Sequence, residues 1–231
     1  MTKHPPLVIS IGGSIVVPQS GIDVSYLEAF RHLVIDEIKK GKRFIIVVGG
    51  GSTARDYQKA ANSIVHLASE DVDWLGIHAT RLNGHLLRAL FRDVALHRVI
   101  KDPTRAGTWT KSVLIAAGWK PGWSTDYIAV RLAKKYGAKR VINLTNIDMV
   151  YDKDPSKFED AVPVDHITWK DFRKIVGDKW SPGANAPFDP IASKLAQKSG
   201  LEVVIAQGKN LKNVQAIIDG TEFVGTVIDG N

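Results

Sequence analysis

Cysteine is absent from the 231 residues, which excludes disulfides, a thiol nucleophile and cysteine-bound zinc and fits a reducing, cytoplasmic setting. Long hydrophobic runs are absent too. Stretches such as Phe44–Val48 fall far short of the roughly 20 residues a membrane helix needs, and Gly12, Gly13, Ser14 and Pro18 break the N-terminal run. Neither anchor nor signal peptide is expected. The seven histidines form no H-x-x-x-H pair, and no nucleophile, base and orienter arrangement of the Ser-His-Asp kind is visible. Two glycine signatures are also missing: the spacing matches neither G-x-x-x-x-G-K-[ST] nor G-x-G-x-x-G. A basic arm is lacking despite a net charge of +7, because Lys and Arg are interleaved with Asp and Glu along the chain. The charge therefore favours small anionic substrates over nucleic acid.

What is present is an apolar content of 44%, enough for the core of one large α/β domain. Leu7–Ile11, Phe44–Val48, Val113–Ala116, Val141–Leu144 and Val203–Ala206 are continuous β-branched runs, the pattern of strands buried on both faces. Helical spacing lies between them. One helix starts near Asp23, carries Leu27, Phe30, Val34 and Ile38, and closes at Gly41; others cover about Thr53–Val65, Asp71–Arg92, Ser124–Tyr136, Thr168–Ile175, Pro190–Ser199 and Leu211–Ile218. The alternation predicts a mostly parallel sheet with helices on both faces. Asn146 to Thr168, rich in Asp, Lys and Pro without a period, reads as a long functional loop or hairpin. Trp180 to Asp189 reads as a second loop.

Three buried strands run into small residues: "ISIGGS", "IIVVGGGSTAR" and "LIAAGWKPGWSTD". In a parallel sheet these ends share the edge where open α/β folds bind ligands. Gly12-Gly13 is either a plain turn or a place of close approach. After Gly49-Gly50-Gly51-Ser52 a helix starts at once, so free N–H groups would face an anion, and Arg55 sits one turn in, where a solvated surface arginine is the alternative. In "WKPGWSTD", Pro121-Gly122 suits a turn, Ser124 or Thr125 a helix cap, and Asp126 the first turn. Trp119 and Trp123 either wall a pocket for a base or ribose or pack the loop. "LTNIDMVYDKDP" offers Asn146, Asp148, Tyr151 and Asp154 to a purine nucleotide, or is a polar loop. In "FDPIASKLAQKSG", Asp189 caps a helix with Pro190 at its first position and Gly200 at its end; Lys194, near the helix start, is a candidate cation or a surface lysine.

These motifs, together with "DWLGIHATRLN", occur in the order and approximate spacing of the amino acid kinase superfamily, and they resemble uridylate (UMP) kinases of the archaeal type over nearly the whole chain. The resemblance implies an α/β fold, a three-layer α/β/α sandwich around a mostly parallel sheet. It implies a single domain, with residues of about 1–143 forming the acceptor half and about 144–231 the ATP half. It further implies ATP and UMP as ligands, Mg²⁺ carried mainly by the ATP phosphates with no protein metal site, and a homo-oligomer, usually a hexamer. Carried over by position, Gly12, Gly13, Ser14 and Gly51 would line the ATP phosphates, Gly50 would face UMP, and Arg55 would lie between the two phosphate groups. Asp73 would hold the UMP ribose. Trp119, Lys120, Pro121, Gly122, Trp123, Ser124 and Thr125 would wrap uridine, and Thr145, Asn146, Tyr151 and Asp154 would contact ATP. Lys194, Arg55 and Asp126 would form the catalytic group, with Asp126 orienting Lys194 or the magnesium waters.

The chain departs from the pattern at three places. Ser10 stands where many members carry lysine in K-x-G-G-S, Met149 replaces the glycine of N-x-D-G-V-Y, and Trp119 and Trp123 are bulky for a uridine loop. A same-fold kinase of another acceptor, such as a different nucleoside monophosphate or isopentenyl phosphate, and a non-catalytic nucleotide or oxyanion binder stay as alternatives.

Overall fold

Five of the strands are mostly apolar because helices cover them on both sides, and they build the parallel centre of one sheet. The computed structural model describes residues 5–153, 155, 157–177 and 186–230. In chain order these form β1 (Leu7–Ile11), α1 (Gly13–Val16), α2 (Val24–Lys39), β2 (Phe44–Val48), α3 (Gly51–Asn62), α4 (Ser69–Leu90), β3 (Val113–Ala116), α5 (Thr125–Tyr136), β4 (Arg140–Thr145), β5 (Val150–Tyr151), β6 (Pro163–Val164), β7 (His166–Thr168), α6 (Trp169–Val176), α7 (Pro190–Lys198), β8 (Glu202–Gln207), α8 (Leu211–Asp219) and β9 (Thr226–Asp229). The seven-stranded sheet has the order β3-β2-β1-β4-β8-β9-β7. Strands β3 to β8 in that order pair in parallel. Only the β8–β9 pair is antiparallel among the described ladders of this sheet.

The side-chain alternation of each strand feeds two cores. Val8, Ile45, Val47, Leu114, Val141, Val203 and Ile205 face α5, α6 and α7. Their neighbours Ile9, Ile46, Val48, Ile115, Ile142 and Val204 face α2, α4 and α8. Each fully buried aliphatic side chain of this kind contributes roughly 1.5–3 kcal/mol. This is the expected three-layer α/β sandwich. Both cores draw on strands from before and after residue 143, so an acceptor half and an ATP half are not separate folding units.

Caps decide where the important helices start. Asp23 accepts from the Tyr26 N–H at 2.9 Å to open α2, Ser124 accepts from Tyr127 to open α5, and Asp189 accepts from Ala192 at 2.6 Å, with Pro190 following, to open α7. Each such cap is worth about 1 kcal/mol. The irregular stretch after Asn146 contains a short antiparallel hairpin, β5 with β6.

Candidate functional site

The strand order places β1 between β2 and β4, with the chain filling one side first and the other afterwards, so the sheet's switch point lies beside the C-terminal end of β1. The loops after β1, β2, β3 and β4 open along this edge. Gly12 N–H donates to Leu144 O at 2.8 Å and Gly49 N–H to Ile11 O at 2.9 Å, which ties three of them together. The glycines are there for a reason the motif did not reveal. A Cβ on Gly13 would sit 2.0 Å from Gly51 N, and one on Gly51 would sit 2.5 Å from Gly13 O, so the two loops touch backbone to backbone and admit no side chain. The expectation of a row of free N–H groups needs correction, since those of Gly12, Gly49 and Ser52 are spent inside the protein, the last on Val17 O. Ser14 begins the short helix α1, and Gly50 lies under Ala54 and Ala79.

Helix α4 fixes the loops after β2 and β3. Asn83, buried, donates from Nδ2 to Gly49 O at 2.9 Å and Gly50 O at 3.1 Å. Thr80 Oγ1 accepts from Gly118 N–H at 2.8 Å. Arg81 donates from Nε to Gly118 O at 3.1 Å and from an Nη to Trp119 O at 2.7 Å, and Asp73 Oδ2 accepts from Gly122 N–H at 2.7 Å. The sequence singled out Asp73 alone; a side chain reaching to a backbone carbonyl has no spacing that would give it away. The loop's rings form a row. Trp119 and Trp123 lie 5.9 Å apart, Trp123 stacks on Tyr127 at 4.0 Å, and Lys120 Nζ sits 4.6 Å from the centre of Trp119. Both tryptophans also pack partly against the core, so they brace the loop and leave the remainder of their faces at the site. Pro121 and Thr125 complete the loop and the first position of α5.

Asp126 lies one turn into that site. Its Oδ1 accepts from the buried Ser10 hydroxyl at 3.1 Å and its Oδ2 from Asp189 N–H at 3.2 Å, so one carboxyl joins β1, α5 and α7. Burial first, and then the charge of Asp189, push the Asp126 carboxyl up to about 7. Burial raises Asp189 as well, against the N–H groups of Ala192 and Ile191 and the Ser124 hydroxyl. Among the described residues, two carboxyls and the hydroxyls of Ser10 and Ser124 gather beside β1, with no cation hydrogen-bonded to either carboxyl. Lys194 lies exposed on α7 and Arg55 exposed on α3, and neither has an ion-pair partner among the described residues. The expected contact between Asp126 and Lys194 is not made.

On the other side of β1, Thr145 ends β4, accepts through its carbonyl from Gly208 N–H at 2.8 Å and donates its hydroxyl to Asn146 Oδ1 at 3.2 Å. Gln207 holds Asn146 O, and Tyr151 lies half-buried on β5. Asp154 lies outside the described residues, as does most of the loop expected at Trp180 to Asp189. A hollow of about 400 Å³ lies at the opposite edge of the sheet, between Leu7, Lys42, Arg43 and Ile218. Its Lys42 is already engaged by Glu37 and Asp219, so it is no rival for an anion. Among the described residues no group of three or more His, Asp or Glu is placed to hold a metal ion.

The model of the amino acid kinase family matches residues 5–207. The chain belongs to this family. Among its relatives, the uridylate kinase of Methanoculleus marisnigri is 33% identical over 226 residues, 96% of this chain and 94% of that protein, and that of Methanococcus maripaludis is 35% identical over 87% of this chain and 90% of its own length. The crystal structure of the uridylate kinase from Archaeoglobus fulgidus superposes with a TM-score of 0.80 at 30% identity, covering 96% of this chain and 99% of that one. The UMP kinase of Bacillus anthracis, at 19% identity and a TM-score of 0.78, shares the fold.

Proposed function

We propose that this protein is a UMP kinase, transferring the γ-phosphoryl group of ATP to UMP to give ADP and UDP. The observation that carries this reading is the likeness to archaeal uridylate kinases along nearly the full length of both chains. The gathering of the loops after β1, β2, β3 and β4 at one sheet edge, where open α/β folds bind ligands, supports the same reading.

A phosphate oxygen of UMP forms the new bond to the γ-phosphorus while the bond to the β,γ-bridging oxygen of ATP breaks, and ADP leaves with that electron pair. The UMP phosphate, with a second pKa of about 6, is already ionised near neutral pH, so no general base is needed. Catalysis then consists of alignment and of positive charge on the transferring oxygens. Lys194 and Arg55 are the side chains for that task. Mg²⁺ held mainly by the ATP phosphates would supply further positive charge there. In this reading Asp73 and the loop from Trp119 to Thr125 take UMP in the half before about residue 143. Gly12, Gly13, Ser14, Gly51 and Arg55 from that half and Thr145, Asn146, Tyr151 and Asp154 from the half after it take ATP. The working form is a cytoplasmic homo-oligomer, a hexamer by family resemblance; no helix among the described residues is long and apolar enough to cross a membrane.

The test is ADP formation from ATP and Mg²⁺ with UMP, CMP, dUMP and isopentenyl phosphate offered separately. Turnover with UMP well above the others is expected. Preference for isopentenyl phosphate would assign the chain to another acceptor of the same fold, and binding of ATP without turnover of any acceptor would make it a nucleotide sensor.

A further inference from the structure

Arg81 belongs to the "TRLN" stretch of α4 and has no part in the mechanism above. Its planar guanidinium places two donors on two successive carbonyls, Gly118 O at 3.1 Å and Trp119 O at 2.7 Å. One rigid group thus fixes two neighbouring peptide planes, which a lysine's single ammonium cannot do. The same turn of α4 holds Gly118 N–H through Thr80, and Asp73 holds Gly122 N–H four residues further along the loop. The segment from Gly118 to Gly122 is therefore pinned at both ends to one helix, with Trp119 directly beyond the Arg81 fork.

The cost of this arrangement is informative. The guanidinium is half-buried, its pKa lowered by that burial, and it faces only neutral carbonyls and, at 5.8 Å, the ring of Trp74. It forms no ion pair with a carboxylate among the described residues. A tether needing only hydrogen bonds could be built from a neutral amide. A desolvated and uncompensated positive charge behind the loop leaves a field that favours an anion in front of it.

We propose that Arg81 is a positioning residue for the phosphate acceptor, presetting the 118–122 loop and setting acceptor affinity without touching the reacting atoms. This rests on the assignment of that loop to the acceptor. Steady-state kinetics of Arg81→Lys, which keeps the charge and loses the fork, and of Arg81→Gln, which keeps polarity and loses the charge, separate the two contributions. The acceptor is whichever phosphate monoester the wild-type protein turns over best, so an error in naming UMP does not affect the test. Arg81→Lys is expected to raise KM for the acceptor by about 10-fold with KM for ATP and kcat nearly unchanged. Arg81→Gln is expected to raise it further, and tryptophan emission should report a loosened loop in both. Equal changes in both KM values, or a fall in kcat alone, would mean that Arg81 only supports the fold or acts in the chemistry. An unchanged acceptor KM in both variants would remove its role altogether.

Discussion

Two buried carboxyls sit at opposite edges of the sheet and are treated in opposite ways. Glu37, near the end of α2, is completely buried at the edge where the parallel strands begin. Lys40 Nζ lies 2.5 Å from one of its oxygens, Lys42 Nζ 2.6 Å from the other, and Gln215 donates at 2.8 Å. Burial alone would raise this carboxyl, but the hydrogen bonds from Lys40, Lys42 and Gln215 outweigh it and hold the group below its ordinary value. Asp126, at the edge where those strands end, is given a hydroxyl, one N–H and a second carboxyl for company. At the first edge the protein neutralises what it buries and gains stability. At the second it leaves the charge problem unsolved, and two of the motif cations, Lys194 and Arg55, have no ion-pair partner among the described residues. That division is what an anion-transfer site requires, because a cation already paired to protein is weaker toward phosphate.

The contrast can be broken most severely at the second edge. Lys194→Ala is expected to lower kcat at least ~100-fold, the loss of one strong electrostatic donor, while the urea midpoint and UMP binding stay nearly unchanged. An unaltered kcat would take Lys194 out of the mechanism. At the first edge the effect should fall on stability. Glu37→Gln is expected to cost about 2 kcal/mol near pH 7, less than a wholly enclosed pair would lose because Lys40 and Lys42 still reach water, with kcat per folded molecule preserved. Since the Glu37 pKa is lowered in the folded state, its contribution is present above the unfolded value of 4.5 and disappears as pH falls through the folded value. Urea titrations of the two proteins should therefore converge in acid.

Asp126 should behave with the opposite sign. Its folded-state pKa is raised from 3.8 to about 7, so the native protein holds a proton that the unfolded chain has released. Stability then declines between about pH 4 and pH 7 and is level above that range. Asp126→Asn is expected to reduce the decline to the part that Asp189 contributes and to be about 1–2 kcal/mol more stable than wild type at pH 8, while transferring phosphate more slowly. Equal stability of the two proteins at pH 8 would show that the pair with Asp189 costs the fold nothing.

Much of the fold was legible because burial on both faces writes itself into the sequence: β2 and β3 coincide with uninterrupted apolar runs, and β1 with one broken only by Ser10. The edge strand β7 and its neighbour β9 were not, since three partly exposed residues in the one and four residues in the other are too few to stand out from the surrounding loops. The four-residue α1 is hidden by its own glycine. At the site, the glycine pairs pointed to the right edge for an incomplete reason, as Gly13 and Gly51 are glycines because their loops collide. The work of Thr80, Arg81 and Asn83 lies in contacts with distant backbone, which only the folded chain brings within reach. The pairing of Ser10 with Asp126 spans 116 positions of sequence and was invisible for the same reason.

The most direct measurement is phosphorus NMR of the wild-type protein with ATP, Mg²⁺ and UMP. Growth of the UDP β-phosphate signal in step with ADP is the predicted result. ADP appearing with inorganic phosphate and no UDP, or UMP left unchanged under conditions where ATP binds, would contradict it.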